Sequence, residues 1–342
     1  MNRRCLRVSL AGLLLGTAFA RANMTLLVEE PFGTFGGMNP TGHAALYFSG
    51  VCAETPLSVR RCREGEEGVV ISRYHRIAGF DWIAIPVIAY LYAVDRVEQI
   101  PQKVGEKDVA SLRDDYRRKY LERFAPDESD GGAPEGDWIQ LVGAAYDRTI
   151  YAFEIKTTAE QDDKLIEALN SGPNRTQFHL LSRNCADFVR NIIDLYYPRA
   201  IHRSFSADVG IMTPKQAAKS LVHYAKKHPG LLASSFIIAQ VPGSVPRSSP
   251  IRGVLEALTK SKRYAVPLAS LAVLHPAFGG PLAFAWVESL RFDPRRIAGA
   301  SASPLQPAMV ARQLQSQDPR APESVNSAAV PAIPAIHAIT VQ

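Results

Sequence analysis

Three observations predict an α+β fold. Strand-like runs crowd residues 23–74, amphipathic helical spacing recurs over 107–124, 157–171 and 185–197, and a switch from strand to helix stands at residues 182–185. The chain has 342 residues. Removing the first 22 would leave about 320 (342 − 22), enough for one large domain or two small ones.

The first 22 residues read as a signal peptide. Arg3, Arg4 and Arg7 precede the apolar run 8–20, and Ala20-Arg21-Ala22 has the small-x-small form of a cleavage site. Loss of this segment removes four arginines and no acids, so the formal charge of +6 falls to +2 (6 − 4). The basic character thus belongs mostly to the leader. No basic stripe interleaved with aromatics remains, which argues against a nucleic-acid partner. Cys5 precedes the apolar run and is no lipoprotein cysteine. The expected location is the periplasm or cell envelope.

Residues 23–29 (NMTLLVE) form the first predicted strand. A glycine-rich loop, 31–40, lacks phosphate-binding spacing and leads into an apolar strand, 42–48 (GHAALYF), which opens on His43. Residues 51–54 and 68–74 continue the strand pattern. Residues 81–92 are apolar but short and contain Pro86, which predicts a core or surface-docking segment. An amphipathic helix is expected over 107–124, an acidic loop over 126–136, and two strand-like runs over 138–155. Thr157 to Glu160 reads as a capping box for a helix ended by Ser171-Gly172-Pro173.

The stretch 176–198 organises the rest. Residues 177–181 alternate like a strand. Asn184 is a good N-cap with Asp187 three residues on, and Phe188, Val189, Ile192 and Leu195 then recur at helical spacing up to Pro198. Cys185 therefore falls in the first turn of a buried helix. Unpaired N–H groups and the positive end of the helix dipole there favour a thiolate, so Cys185 is a candidate nucleophile; a small apolar packing residue is the plain alternative.

Beyond Pro198, Thr213-Pro214-Lys215-Gln216 starts another helix, running to about His228, and 201–243 is expected to be a helical extension. Residues 244–263 read as a linker. Residues 264–290 form an apolar segment, of which 265–287 carry no charge and follow Lys260, Lys262 and Arg263. That segment suits either membrane insertion or docking, or a buried helical hairpin, with Pro267, Pro276 and Pro281 expected to break it. The proline-rich tail, 301–342, is predicted to be disordered.

Three cysteines follow the leader. Cys52 and Cys62 lie close enough in sequence to bridge, which leaves Cys185 odd. A thiol nucleophile needs an imidazole. Of the eight histidines, His75, His202, His223 and His228 lie in charged surroundings, and His275 and His337 lie in the C-terminal segment and tail. His179, on the strand before Cys185, is placed to line a cleft or, with Asn184, to assist an oxyanion. His43 opens an apolar strand directly after a glycine-rich loop and is the candidate base.

A GH-plus-apolar strand (42–48) far upstream of an NCADFV helix start (184–189) resembles the circularly permuted papain-like superfamily, which includes permuted NlpC-type amidases, lecithin:retinol-acyltransferase-like enzymes and an exported bacterial branch of unassigned function. The resemblance covers residues 23–200. It implies an antiparallel sheet with a packed, cysteine-bearing helix, Cys185 as nucleophile and His43 as base. Glu54, eleven residues after the histidine, is the candidate third residue. The implied chemistry is acyl transfer on amide or ester bonds of cell-envelope peptides or lipids, without a cofactor. Two rivals remain: an inactive, membrane-associated binding module on the same fold, and a zinc site using His43, Cys185 and a carboxylate. The zinc site lacks any close-spaced ligand pair such as CxxC.

Overall fold

The computed structural model describes residues 22–33, 40–75, 77–175 and 178–299. The expected leader, apart from Ala22, and the expected disordered tail lie outside them. The described residues form an α+β structure around a six-stranded antiparallel sheet. Its strands are β1 (Ala22–Glu29), β2 (His43–Phe48), β5 (Val69–Ser72), β6 (Ile83–Pro86), β7 (Ile150–Thr157) and β8 (Leu232–Ile238), in the order β6-β5-β2-β1-β7-β8. Strands β3 (Val51–Thr55) and β4 (Ser58–Arg61) form a separate hairpin, bridged by a Cys52–Cys62 disulfide with Cα atoms 4.9 Å apart, as the spacing of the cysteines predicted.

Both faces of the sheet are buried, which explains strands that read as continuous apolar runs. Met24, Leu26, Val28, Ala44, Leu46 and Phe48 pack on one face with Ala186, Phe188 and Val189 of the helix Cys185–Tyr196. Leu27, Ala45, Tyr47 and Val70 pack on the other, beneath the helix Val87–Tyr92 and the short helix Ala144–Asp147. The alternation along β2 therefore assigns His43 to the face away from the cysteine helix, with Ala45 and Tyr47. Only its place as the first residue of the strand brings it towards Cys185.

Helix signals are largely obeyed. The Asn184 side-chain Oδ1 accepts from Asp187 N at 3.0 Å, and Thr213 caps Pro214–Lys227 with Pro at the first turn. Several elements differ from expectation. Residues 138–155 contain one strand, not two: a 3₁₀ turn (Asp137–Leu141) and the helix Ala144–Asp147 precede β7. The helix expected over 107–124 is Glu106–Tyr116, continued by a π turn through Leu121. The cap of Ala159–Ser171 is Thr158 with Gln161, one residue later than expected. Leu195, expected in the core, is exposed, while Tyr196 is buried. Residues 81–92 belong to the core as β6 and the helix after it.

The helical extension 201–243 also contributes β8, the sheet's outer strand beside β7, and the linker 244–263 holds the helix Val254–Lys260. The apolar segment 264–290 belongs to two helices, Lys262–Leu274 and Pro276–Leu290, with the break at His275; Pro267 and Pro281 are carried within them. The hairpin is not buried: Val266, Val273, Leu274 and Phe284 are all more than half exposed. Among the described residues no helix is long and apolar enough to cross a membrane.

Candidate active site

Gly42 precedes His43 at φ +77°, and a Cβ there would meet the Glu29 carbonyl oxygen at 2.1 Å. Only glycine lets the chain pass so close to β1 as it enters β2. His43, paired in register with Glu29, is buried. Its ring stacks on Tyr74 with centroids 4.8 Å apart, and Nε2 lies 2.6 Å from the Ser72 hydroxyl. That hydroxyl donates to the Ala44 carbonyl at 3.2 Å, so it accepts from His43. The network assigns the proton to Nε2 and leaves Nδ1 as the basic nitrogen.

Cys185 comes to the same place from the other face of the sheet. It is buried and begins its helix. Together with His43 it lines a cavity of about 270 Å³, with Tyr74, His75, Arg148 and Phe178. Among the described residues no hydrogen bond joins His43 to Cys185; they share the cavity. Cys185 also lines a second cavity of about 410 Å³, with no charged residue in its lining, beside Met212, Val254, Leu258 and Tyr264.

The expected thiolate does not form in this resting site. Burial pushes the Cys185 thiol up to about 11, outweighing the nearby backbone N–H groups that favour the anion. Burial, with the Arg148 cation second, lowers His43 to about 3. The helix N-terminus is outweighed by desolvation, and the resting pair is a neutral thiol and a neutral imidazole.

Behind His43 lies a buried charge network. Arg148 Nη1 donates to Glu29 Oε2 at 2.7 Å, and the Tyr90 hydroxyl donates to Glu29 Oε1. Burial raises the Glu29 carboxyl, opposed by Arg148 and by Tyr90. The Arg148 guanidinium carbon lies 4.4 Å from the centroid of the Phe32 ring, a residue of the same cavity.

Three of the sequence candidates lie elsewhere or act otherwise. Glu54 is on the β3–β4 hairpin, its side chain 54% exposed and bound to Arg60, so it does not reach His43; Ser72 occupies the position that Glu54 was expected to fill. His179 is exposed in a tight turn to Arg183, with Nδ1 3.0 Å from the Ser182 hydroxyl, rather than on a strand; its neighbours Phe178 and Leu180 line the cavities instead. The Asn184 amide donates to the carbonyls of Leu180 at 2.8 Å and Met212 at 3.0 Å, and its oxygen caps the helix, so it has no donor to offer an oxyanion. The structure adds His75, which lines the cavity with Nδ1 3.3 Å from Asp137. It also adds Glu29 and Arg148, 119 positions apart, whose pairing no local pattern announces.

Comparison of the chain with protein-family models, with curated proteins and with solved structures returns no match.

Proposed function

We propose that this protein is an exported, cysteine-dependent amide or ester hydrolase or acyltransferase on a permuted papain-like core. One observation carries the reading: His43 and Cys185, each the first residue of its element, open on one cavity. The cysteine helix packed across the histidine strand, inside an antiparallel sheet, supports it. The Cys52–Cys62 bridge agrees with an oxidising compartment.

With a neutral resting pair, proton transfer accompanies attack. As Sγ bonds to the acyl carbon, its proton passes to His43 Nδ1, and Ser72 holds the ring through Nε2. The carbonyl oxygen becomes an oxyanion facing the start of the cysteine helix. The bond to the leaving group breaks, and that group takes the proton from His43. Water, or an acceptor alcohol or amine, then attacks the thioester, gives its proton to His43, and the thiol is restored. Cell-envelope peptides and lipids are the substrate classes of this reading. The exposed apolar hairpin, flanked by the exposed cations Lys260 and Arg291, would rest against an anionic lipid surface.

The test is acyl-enzyme capture. The mature protein incubated with p-nitrophenyl butyrate should gain a hydroxylamine-labile butyryl group, mapped to Cys185 by mass spectrometry. The adduct should be absent in Cys185→Ala and slow to form in His43→Gln. An adduct that persists in Cys185→Ala ends the nucleophile reading, and no adduct in the folded wild type leaves a binding module on the same fold.

A further inference from the structure

Cys185 stands where two cavities meet, one lined in part by charged side chains and the other by none. One is walled by Met212, Val254, Leu258 and Tyr264. The other contains two buried arginines, Arg73 and Arg148. Arg148 is 2% exposed and spends Nη1 on Glu29. Its Nε–H is buried with no acceptor. Nη2 also takes no acceptor among the described residues, so the whole Nε–Nη2 edge of the guanidinium is uncommitted. That edge is the planar two-donor fork that matches a carboxylate or phosphate. A buried donor without an acceptor costs on the order of 1–3 kcal/mol, and an anion that reached this edge would relieve that cost. Arg73 has a similar, smaller deficit: Nη2 donates to Asp81 at 2.6 Å while Nε is unpartnered.

We propose that the Cys185 site takes an amphiphilic anionic acyl compound, with a carboxylate or phosphate held by Arg148 in the first cavity and an apolar portion in the second. The scissile carbonyl then lies at Sγ, between the two. The proposal rests on Cys185 being the nucleophile and adds what that nucleophile acts upon. Charge supports it from a second direction. A cation so near His43 depresses the imidazole and opposes the imidazolium that attack creates. A bound anion beside Arg148 offsets that penalty, so the correct substrate would itself make His43 a better base.

The test uses probes that differ only in their head group. Hexanoate, hexyl phosphate and the neutral hexanamide would be titrated as protectors of Cys185 against iodoacetamide, and separately as stabilisers in thermal unfolding. At least one anion should protect while hexanamide does so ten-fold more weakly or not at all; the better anion identifies the head group as carboxylate or phosphate. Glu29→Gln/Arg148→Gln should lose about ten-fold in apparent anion affinity. Arg148→Lys, which keeps a cation for Glu29 but not the fork, should lose a similar amount and serves if the double variant does not fold. Equal protection by hexanamide, or anion affinity unchanged in these variants, overturns the proposal. If Cys185 resists alkylation altogether, the nucleophile reading fails, while the thermal shifts still report whether anions bind at Arg148.

Discussion

The region around His43 and the C-terminal helical hairpin solve burial in opposite ways. At His43, polar groups lie deep inside and nearly every one is matched: Ser72 to the imidazole, Tyr90 and Arg148 to Glu29. In the hairpin, apolar groups stand outside: Val273 is 79% exposed and Leu274 73%. A buried polar group without a partner and an exposed apolar cluster are both costly, and both therefore point to something that completes them. The difference teaches where to look for each partner. On the readings proposed above, the partner at the site is an anionic acyl compound and the partner at the hairpin a lipid surface.

The largest effect expected is on chemistry. Cys185→Ser should reduce turnover of any substrate at least ~10³-fold while leaving the unfolding midpoint close to wild type, read by kinetics and urea titration on one preparation. Next comes the charge network. Arg148→Gln alone strands Glu29 in the core and should destabilise by about 3–5 kcal/mol, whereas Glu29→Gln/Arg148→Gln should recover most of that; a double variant no better than the single would mean that the pair does not act as a unit.

Acid should sharpen the contrast between the two regions. His43 lies at about 3 when folded, against 6.5 as its ordinary value, so the unfolded chain takes up the proton first. Its contribution to stability is complete above 6.5 and is lost as pH falls through the window from 6.5 to 3. By about pH 4 the loss should approach ~3 kcal/mol, measured as the pH dependence present in wild type and missing in His43→Gln. The smallest effect on stability is expected in the hairpin. Val273→Asp and Phe284→Asp should change the unfolding free energy by no more than about 0.5 kcal/mol. The same changes should reduce co-sedimentation with phosphatidylglycerol vesicles; unchanged sedimentation would remove the lipid-surface role.

Much of this frame was legible in the sequence because it depends on neighbours in the chain. The Asn184–Asp187 capping box, the proline-started helix at Thr213, the short Cys52–Cys62 loop and the glycine before His43 are all local signals. What was misread depends on depth. A helix N-terminus should lower a thiol, but burial, with the Glu29 carboxylate adding to it, raises the thiol of Cys185. Glu54 has the right spacing after His43, yet the hairpin carries it to solvent, where Arg60 claims it. Arg148 and Glu29 look like any charged residues in sequence, since burial of an ion pair is a tertiary fact. Strand β8 is silent in the sequence, since a short apolar run after Gly230 carries no mark of the neighbour it pairs with.

Strand β8 also governs the order in which the molecule can be made. Its partner β7 ends at Thr157, but the outer strand arrives only with residues 232–238, after four intervening helices have been synthesised. Until then β7 presents an open row of amide and carbonyl groups with Tyr151, Phe153 and Ile155 along it, a template for pairing with another chain. A chain cut after residue 200 would keep both His43 and Cys185 and yet be permanently in that state. It should aggregate more readily than the longer chain, because the residues beyond the cysteine helix supply the strand that covers this edge.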